Sequence, residues 1–350
     1  MALEWAFSTH GRMRRCQRQL FFGSIAAWHN AKDPLRRESF LLSQVKSLDA
    51  WRGNLVHKAI ELFVVPCWQA RQVVPWEAVI QQTRDLGTRQ FAFSEKRRYR
   101  EAGMSKSKAG DEYCALFGHE FGLAPTAADL EATLKSVERS LANLAGMESF
   151  LNHVAGRSFY RSEATISAEY NGVRIQGVID LVFSGAYGRY GVVDWKDYAA
   201  SSTTEARLQM SLYAWLLCKA STWRVSAPES IELWEINLGL PAARQHRIDQ
   251  VAFDELEDFI YRSTEELRVL CGDGTYRATD LENYEYTENP NSCRFCPYQN
   301  VCREPETWIV TGSTSTKSQT RRLTNSDTNL FGSLDSTGPV PATLTSSTAG

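Results

Sequence analysis

The chain lacks an excess of either charge. Its 39 Lys and Arg stand against 41 Asp and Glu, a formal net charge of −2, so any contact with a polyanion has to come from local basic patches. It also lacks an apolar run near the ~20 residues of a membrane span; Leu212 to Cys218 is only a short one. Met1 to Arg15 has no signal-peptide core, and the expectation is a cytoplasmic protein without membrane contact. No G-x4-G-K-[ST] phosphate loop occurs, which excludes a recognisable ATPase motor in this chain. What remains is ordinary in bulk: 43% apolar and 23% charged residues over 350 positions, enough for one large globular domain or two.

The informative stretch runs from Gly177 to Tyr213. Gly177-Val178-Ile179-Asp180-Leu181-Val182-Phe183 and Gly191-Val192-Val193-Asp194-Trp195-Lys196 are short apolar runs bounded by glycine, the pattern of neighbouring buried strands. Side chains alternate along a strand, so Asp194 and Lys196 project from one face. Carboxylates and an ammonium among Val, Ile and Phe are costly unless they bind one another or a metal. A helical pattern follows that places Gln209 and Tyr213 one turn apart on one face.

At these residues the chain resembles the PD-(D/E)XK nuclease superfamily, in particular its RecB-like exonuclease branch. Asp180 matches the first acidic position, Asp194-Trp195-Lys196 the (D/E)XK element, Gln209 to Tyr213 the QxxxY motif, and Gly53 to His57 the GxxxH motif upstream. The resemblance implies an α/β fold: a restriction-endonuclease-like αβββαβ core with a mixed sheet flanked by helices. It implies Mn²⁺ or Mg²⁺ held by His57, Asp180, Asp194 and the carbonyl of Trp195. Lys196 would position water or stabilise the transition state, with Gln209 and Tyr213 contacting substrate nearby. An imidazole among the ligands favours Mn²⁺, and Glu61 is expected to orient His57 from behind.

Elsewhere the chain supplies the remaining pieces. Strands are expected from about Ala164 to Lys196, with Asn171-Gly172 as a hairpin turn. Helices are expected at about 39–69, 204–219 and 252–270, and a strand at Ile231 to Leu238. Residues of about 75–159 read as a helical insertion. Within it Lys96-Arg97-Arg98-Tyr99-Arg100, Lys106 and Lys108 are read equally as a solvated face and as a strand-guiding surface. The domain is expected to span 1–307, followed by a disordered Ser/Thr-rich tail, 308–350.

Cys293, Cys296 and Cys302 cluster, with Cys16 alone near the start; in a reducing compartment such a cluster suggests metal before disulfide. The one-plus-three arrangement resembles iron–sulfur nucleases of the AddB type and the CRISPR-associated RecB-like exonucleases. That implies a [4Fe–4S] cluster clasping the two ends of the domain, with a zinc site as the rival. The function implied is a metal-dependent DNA exonuclease on single strands or ends, in repair, recombination or CRISPR-type defence, with a helicase or other defence protein in trans. The rival is a catalytically inactive, nuclease-like subunit that binds DNA or a partner and keeps a structural metal cluster.

Overall fold

The computed structural model describes residues 3–185, 189–197, 203–223, 225–272 and 280–303; the expected 308–350 tail lies outside them. Six strands form one mixed sheet: β1 (Leu3–Trp5), β2 (Tyr160–Tyr170), β3 (Val173–Ser184), β4 (Tyr190–Lys196), β5 (Ile231–Asn237) and β6 (Ala242–His246). The helices that matter below are α1 (Phe7–Arg15), α2 (Pro34–Leu42), α3 (Leu48–Ala59), α4 (Trp76–Glu95), α5 (Ala127–Ala145), α6 (Thr203–Lys219) and α7 (Gln250–Cys271).

The sheet grows from the β2–β3 hairpin. Asn171 and Gly172 both adopt positive φ, 50° and 69°, as a two-residue turn matching the twist of its strands requires. That turn pairs Tyr170 with Val173 and sets the register for the whole hairpin. β3 then carries β2 along one edge, while its other edge is shared by β1 at its start, parallel, and β4 at its end, antiparallel. β4 and β5 are parallel, so the chain needs a crossover between them, and α6 supplies it. β6 closes the sheet antiparallel to β5.

Helices cover both faces. Val182, Val192 and Leu233 pack with Met210 and Ala214 of α6 and with Phe253 and Leu256 of α7. Leu181, Phe183, Val193, Trp195 and Ile236 pack with Leu55 and Val56 of α3 and with Leu134 and Leu141 of α5. Because side chains alternate, Asp180, Asp194 and Lys196 fall on the α6 face. Gly177 lets that helix approach closely: a Cβ there would lie 2.8 Å from Leu216 Cδ1.

Residues 76–154 are predominantly helical. α5 begins at a capping box, Thr126 with Asp129, which satisfies two of the amides a helix start leaves open. Arg84 of α4 pairs with Glu131 and Glu138 of α5. The helical pattern expected over 39–69 is broken in the structure into α2, α3 and two shorter segments, Ile60–Val64 and Val65–Gln69. No helix among the described residues is long and apolar enough to cross a membrane.

Candidate active site

β4 delivers Asp194 and Lys196 as neighbours on one face. Lys196 Nζ lies 2.6 Å from Asp194 Oδ2. The other carboxylate oxygen accepts from Gln209 Nε2 at 3.1 Å and from the Tyr213 hydroxyl at 3.2 Å. Gln209 also accepts from Lys196 Nζ, at 2.9 Å, through its own oxygen. The helical spacing of Gln209 and Tyr213 thus places both against the buried Asp194. Burial, together with the nearby Asp180 carboxylate, pushes the Asp194 pKa up to about 6 against the pull of Lys196 and His57.

Asp180 and His57 complete the pocket around the backbone of Trp195. Asp180 Oδ2 accepts from the Trp195 amide at 2.8 Å, and His57 Nε2 lies 3.2 Å from the Trp195 carbonyl oxygen. The other ring nitrogen, Nδ1, lies 3.5 Å from Asp180 Oδ1 and 3.9 Å from Glu163 Oε1. Burial alone would lower the His57 pKa, but the Asp180 and Glu163 carboxylates outweigh it and raise it to about 10. Arg52, five residues before His57 on α3, pairs with Asp197 just past β4 at 2.8 Å, tying the histidine's helix to the strand end.

The structure therefore brings His57, Asp180, Asp194, Trp195, Lys196, Gln209 and Tyr213 together, and adds one group that sequence reasoning missed. Ser162 pairs with Leu181 and Ala164 with Ile179, so Glu163 faces Asp180 across the hairpin. Its φ is +47°, a left-handed conformation that a non-glycine residue adopts at a cost. Ligand atoms of His57, Glu163 and Asp180 all lie within 4.8 Å of one another. Hard carboxylates with one imidazole suit a divalent ion such as Mg²⁺ or Mn²⁺.

A family model for the PD-(D/E)XK nuclease superfamily matches residues 4–303. The chain belongs to this superfamily. Among solved structures, SSO0001 is 16% identical, with 62% of this chain and 84% of that chain covered and a TM-score of 0.27. A candidate exonuclease from Eubacterium rectale is 10% identical, with 68% and 85% covered and a TM-score of 0.31. No curated protein matches the chain.

In the PD-(D/E)XK chain one expected role and one open reading take a different form. Glu61 binds Lys58 at 2.8 Å rather than standing behind His57; Glu163 and Asp180 occupy the histidine's second nitrogen instead. The basic run at 96–100 is also largely committed internally. Arg100 pairs with Glu38 at 2.7 Å and with Glu120, and Arg97 donates to the backbone carbonyls of His119 and Glu120. These four interactions tie the run to α2 and to the short helix Phe117–Phe121, and the half-buried Arg100 guanidinium keeps its partners rather than reaching for solvent.

The four cysteines come from opposite ends of the chain. Cys16 links α1 to the short helix Gln17–Leu20, and Cys293, Cys296 and Cys302 lie in a segment braced by the Arg18 side chain, which donates to the Tyr284 carbonyl at 3.1 Å. Burial, with the charges of Cys16, Cys302 and Cys293 close by, pushes the Cys296 thiol up to about 11. Four cysteine sulfurs are the donor set that an iron–sulfur cluster or a zinc ion takes.

Proposed function

We propose that the chain is a divalent-metal-dependent deoxyribonuclease, an exonuclease acting on single-stranded DNA or DNA ends. The observation that carries the reading is the convergence of His57, Asp180, Asp194 and Lys196 on one pocket around the Trp195 backbone. The ligand set would be His57, Asp180, Asp194 and the Trp195 carbonyl, with Glu163 beside them. A divalent ion, Mn²⁺ or Mg²⁺, would supply activation of the attacking water and relief of charge at phosphorus.

The chain's own residues do the rest. Lys196 holds a positive charge in a buried setting where its field is little screened; Gln209 and Tyr213 fix the Asp194 carboxylate beside it. Asp180 and His57 lock the strand end by gripping the Trp195 peptide groups from two sides. Cys16, Cys293, Cys296 and Cys302 would hold a [4Fe–4S] cluster that clasps the ends of a single nuclease domain, 1–307, with residues of about 75–159 inserted into it. The setting that fits is DNA repair or antiviral defence in the cytoplasm, with a helicase or other defence protein acting in trans.

The test is cleavage of end-labelled single- and double-stranded DNA with Mn²⁺, Mg²⁺ or EDTA. Degradation should require the metal and vanish in Asp194→Ala and Lys196→Ala. Robust cleavage by both variants defeats the assignment. No cleavage by the wild-type protein on any substrate favours the inactive, DNA-binding rival.

A further inference from the structure

Beside the candidate active site lies a partly enclosed cavity of about 440 Å³ whose lining includes Lys46, Lys58, Lys106, Asn54 and Tyr113. Its floor is α3: Asn54 and Lys58 flank His57 on that helix. Three lysines line it, and the lining carries one carboxylate, Asp111, which Lys58 already holds at 3.2 Å.

Lys46 is the informative member. Its backbone is pinned on both sides, with its amide donating to Ala115 O at 2.9 Å and its carbonyl accepting from the Phe117 amide at 2.8 Å. Its ammonium has no ion-pair partner among the described residues. Burial lowers its pKa, as do the Lys106 and Lys58 charges, while Cys114 and the Glu163 carboxylate raise it. Lys58 directly follows His57 on α3, so the pocket adjoins the His57–Glu163–Asp180 group. A fixed, half-buried cation without a counter-charge is stabilised by an anion that enters the pocket. Lys58 retains protons beyond those used by Glu61 and Asp111, and the Tyr113 hydroxyl, its pKa raised chiefly by burial, stays protonated as a donor.

We propose that the Lys46–Lys58–Lys106 pocket takes a phosphate of the bound DNA strand, fixing which phosphodiester reaches the active site. The pocket's charge is independent of the nuclease reading; the strand as ligand rests on that reading. Cleavage position would then be set by the spacing between a captured phosphate and the His57–Glu163–Asp180 group, and base sequence would play no part.

The test uses the full chain in EDTA and short fluorescent oligothymidylates carrying a 5′-phosphate, a 3′-phosphate or hydroxyl ends. Lys46→Met and Lys106→Met, which keep the apolar stem, should each weaken binding by about 10-fold, the scale of one lost charge-assisted hydrogen bond. Lys46→Arg should recover most of the loss, and Lys135→Met, at an exposed position on α5, should change little. Loss confined to one phosphorylated end assigns a terminal phosphate; equal loss on all three assigns a backbone phosphate. Unchanged affinity of both Met variants for all three oligonucleotides overturns the proposal. If the wild-type protein cleaves DNA yet those variants bind normally, the pocket alone fails. If the wild type binds inorganic phosphate in a manner lost in Lys46→Met but never cleaves DNA, the nuclease reading alone fails.

Discussion

Glu163 faces Asp180 across the β2–β3 ladder, and it does so with a left-handed backbone, φ +47°. The surrounding pairs are regular, so the distortion is confined to the residue whose carboxylate points toward His57, 3.9 Å from Nδ1. Strain held at one position of an otherwise regular strand marks a functional constraint. Glu163→Gly should therefore raise thermal stability, by about 1 kcal/mol from relief of the left-handed conformation. The same change should weaken Mn²⁺ binding by about 10-fold, on the scale of losing a group that supports a metal site. Thermal melts and Mn²⁺ titration calorimetry measure the two effects. A variant that is less stable and binds Mn²⁺ normally contradicts both.

Arg100 offers a second measurable consequence. Its guanidinium compensates two carboxylates, Glu38 and Glu120, whose side chains are only 10% and 8% exposed. Arg100→Met leaves both uncompensated and should cost about 3 kcal/mol in urea unfolding. Because the arginine is committed inside the fold, the salt dependence of DNA binding by the folded variant should match the wild type. A flatter salt slope would return this residue to the DNA-facing surface.

The cysteine clasp predicts a colour. Cys16→Ser should yield a protein without the brown absorbance and iron content expected of a [4Fe–4S] cluster, and with a lower melting temperature, since N- and C-terminal segments lose a shared anchor. Iron analysis and the visible spectrum read the first effect, and a thermal melt the second. Full iron content and an unchanged melt would exclude Cys16 as a ligand. Zinc in place of iron would select the rival metal.

Stability should decline with acid through two histidines remote from the active site. His10 and His119 both have pKa values below the ordinary 6.5, chiefly from burial. His119 bonds Ser94 through Nδ1 at 2.9 Å, and its Nε2 is buried without a partner. The unfolded chain takes up these protons near pH 6.5 while the folded chain resists them. Their contribution is therefore intact above that pH and is lost as pH falls below it toward the folded values. His57 and Asp194, whose pKa values are raised, act in the opposite sense over the same range, so the test is a comparison of His119→Gln with the wild type: the variant should lose less stability, or gain more, between pH 7.5 and 5.5 in urea unfolding. Identical pH dependence of the two proteins would count against this account.

Much of this architecture was legible from local signals. Asn171-Gly172 announces the hairpin, and the alternation of Asp194 with Lys196 announces the shared face. The turn also fixes the register, so counting back from Tyr170 and Val173 places Glu163 opposite Asp180. That signal lies in the sequence, and it becomes legible only once the turn is known to be a tight two-residue one. Other features had no local signature. β1 has only three residues, and β6 reads Ala-Ala-Arg-Gln-His with no apolar alternation; each exists because a neighbouring edge is there to receive it. Arg100 lies 62 positions from Glu38, a pairing that no window of sequence reveals, so a run of positive charge looked like surface.

The peptide groups of Trp195 serve the pocket, yet its indole is directed elsewhere: the ring packs edge-on against Phe150, 5.9 Å away, in the core on the sheet's opposite side. The middle letter of Asp-Trp-Lys is thus governed by how well it fills space behind the sheet. A methionine or phenylalanine there would be judged by the fit of that interior alone, leaving the chemistry in front of the sheet unaware of the exchange.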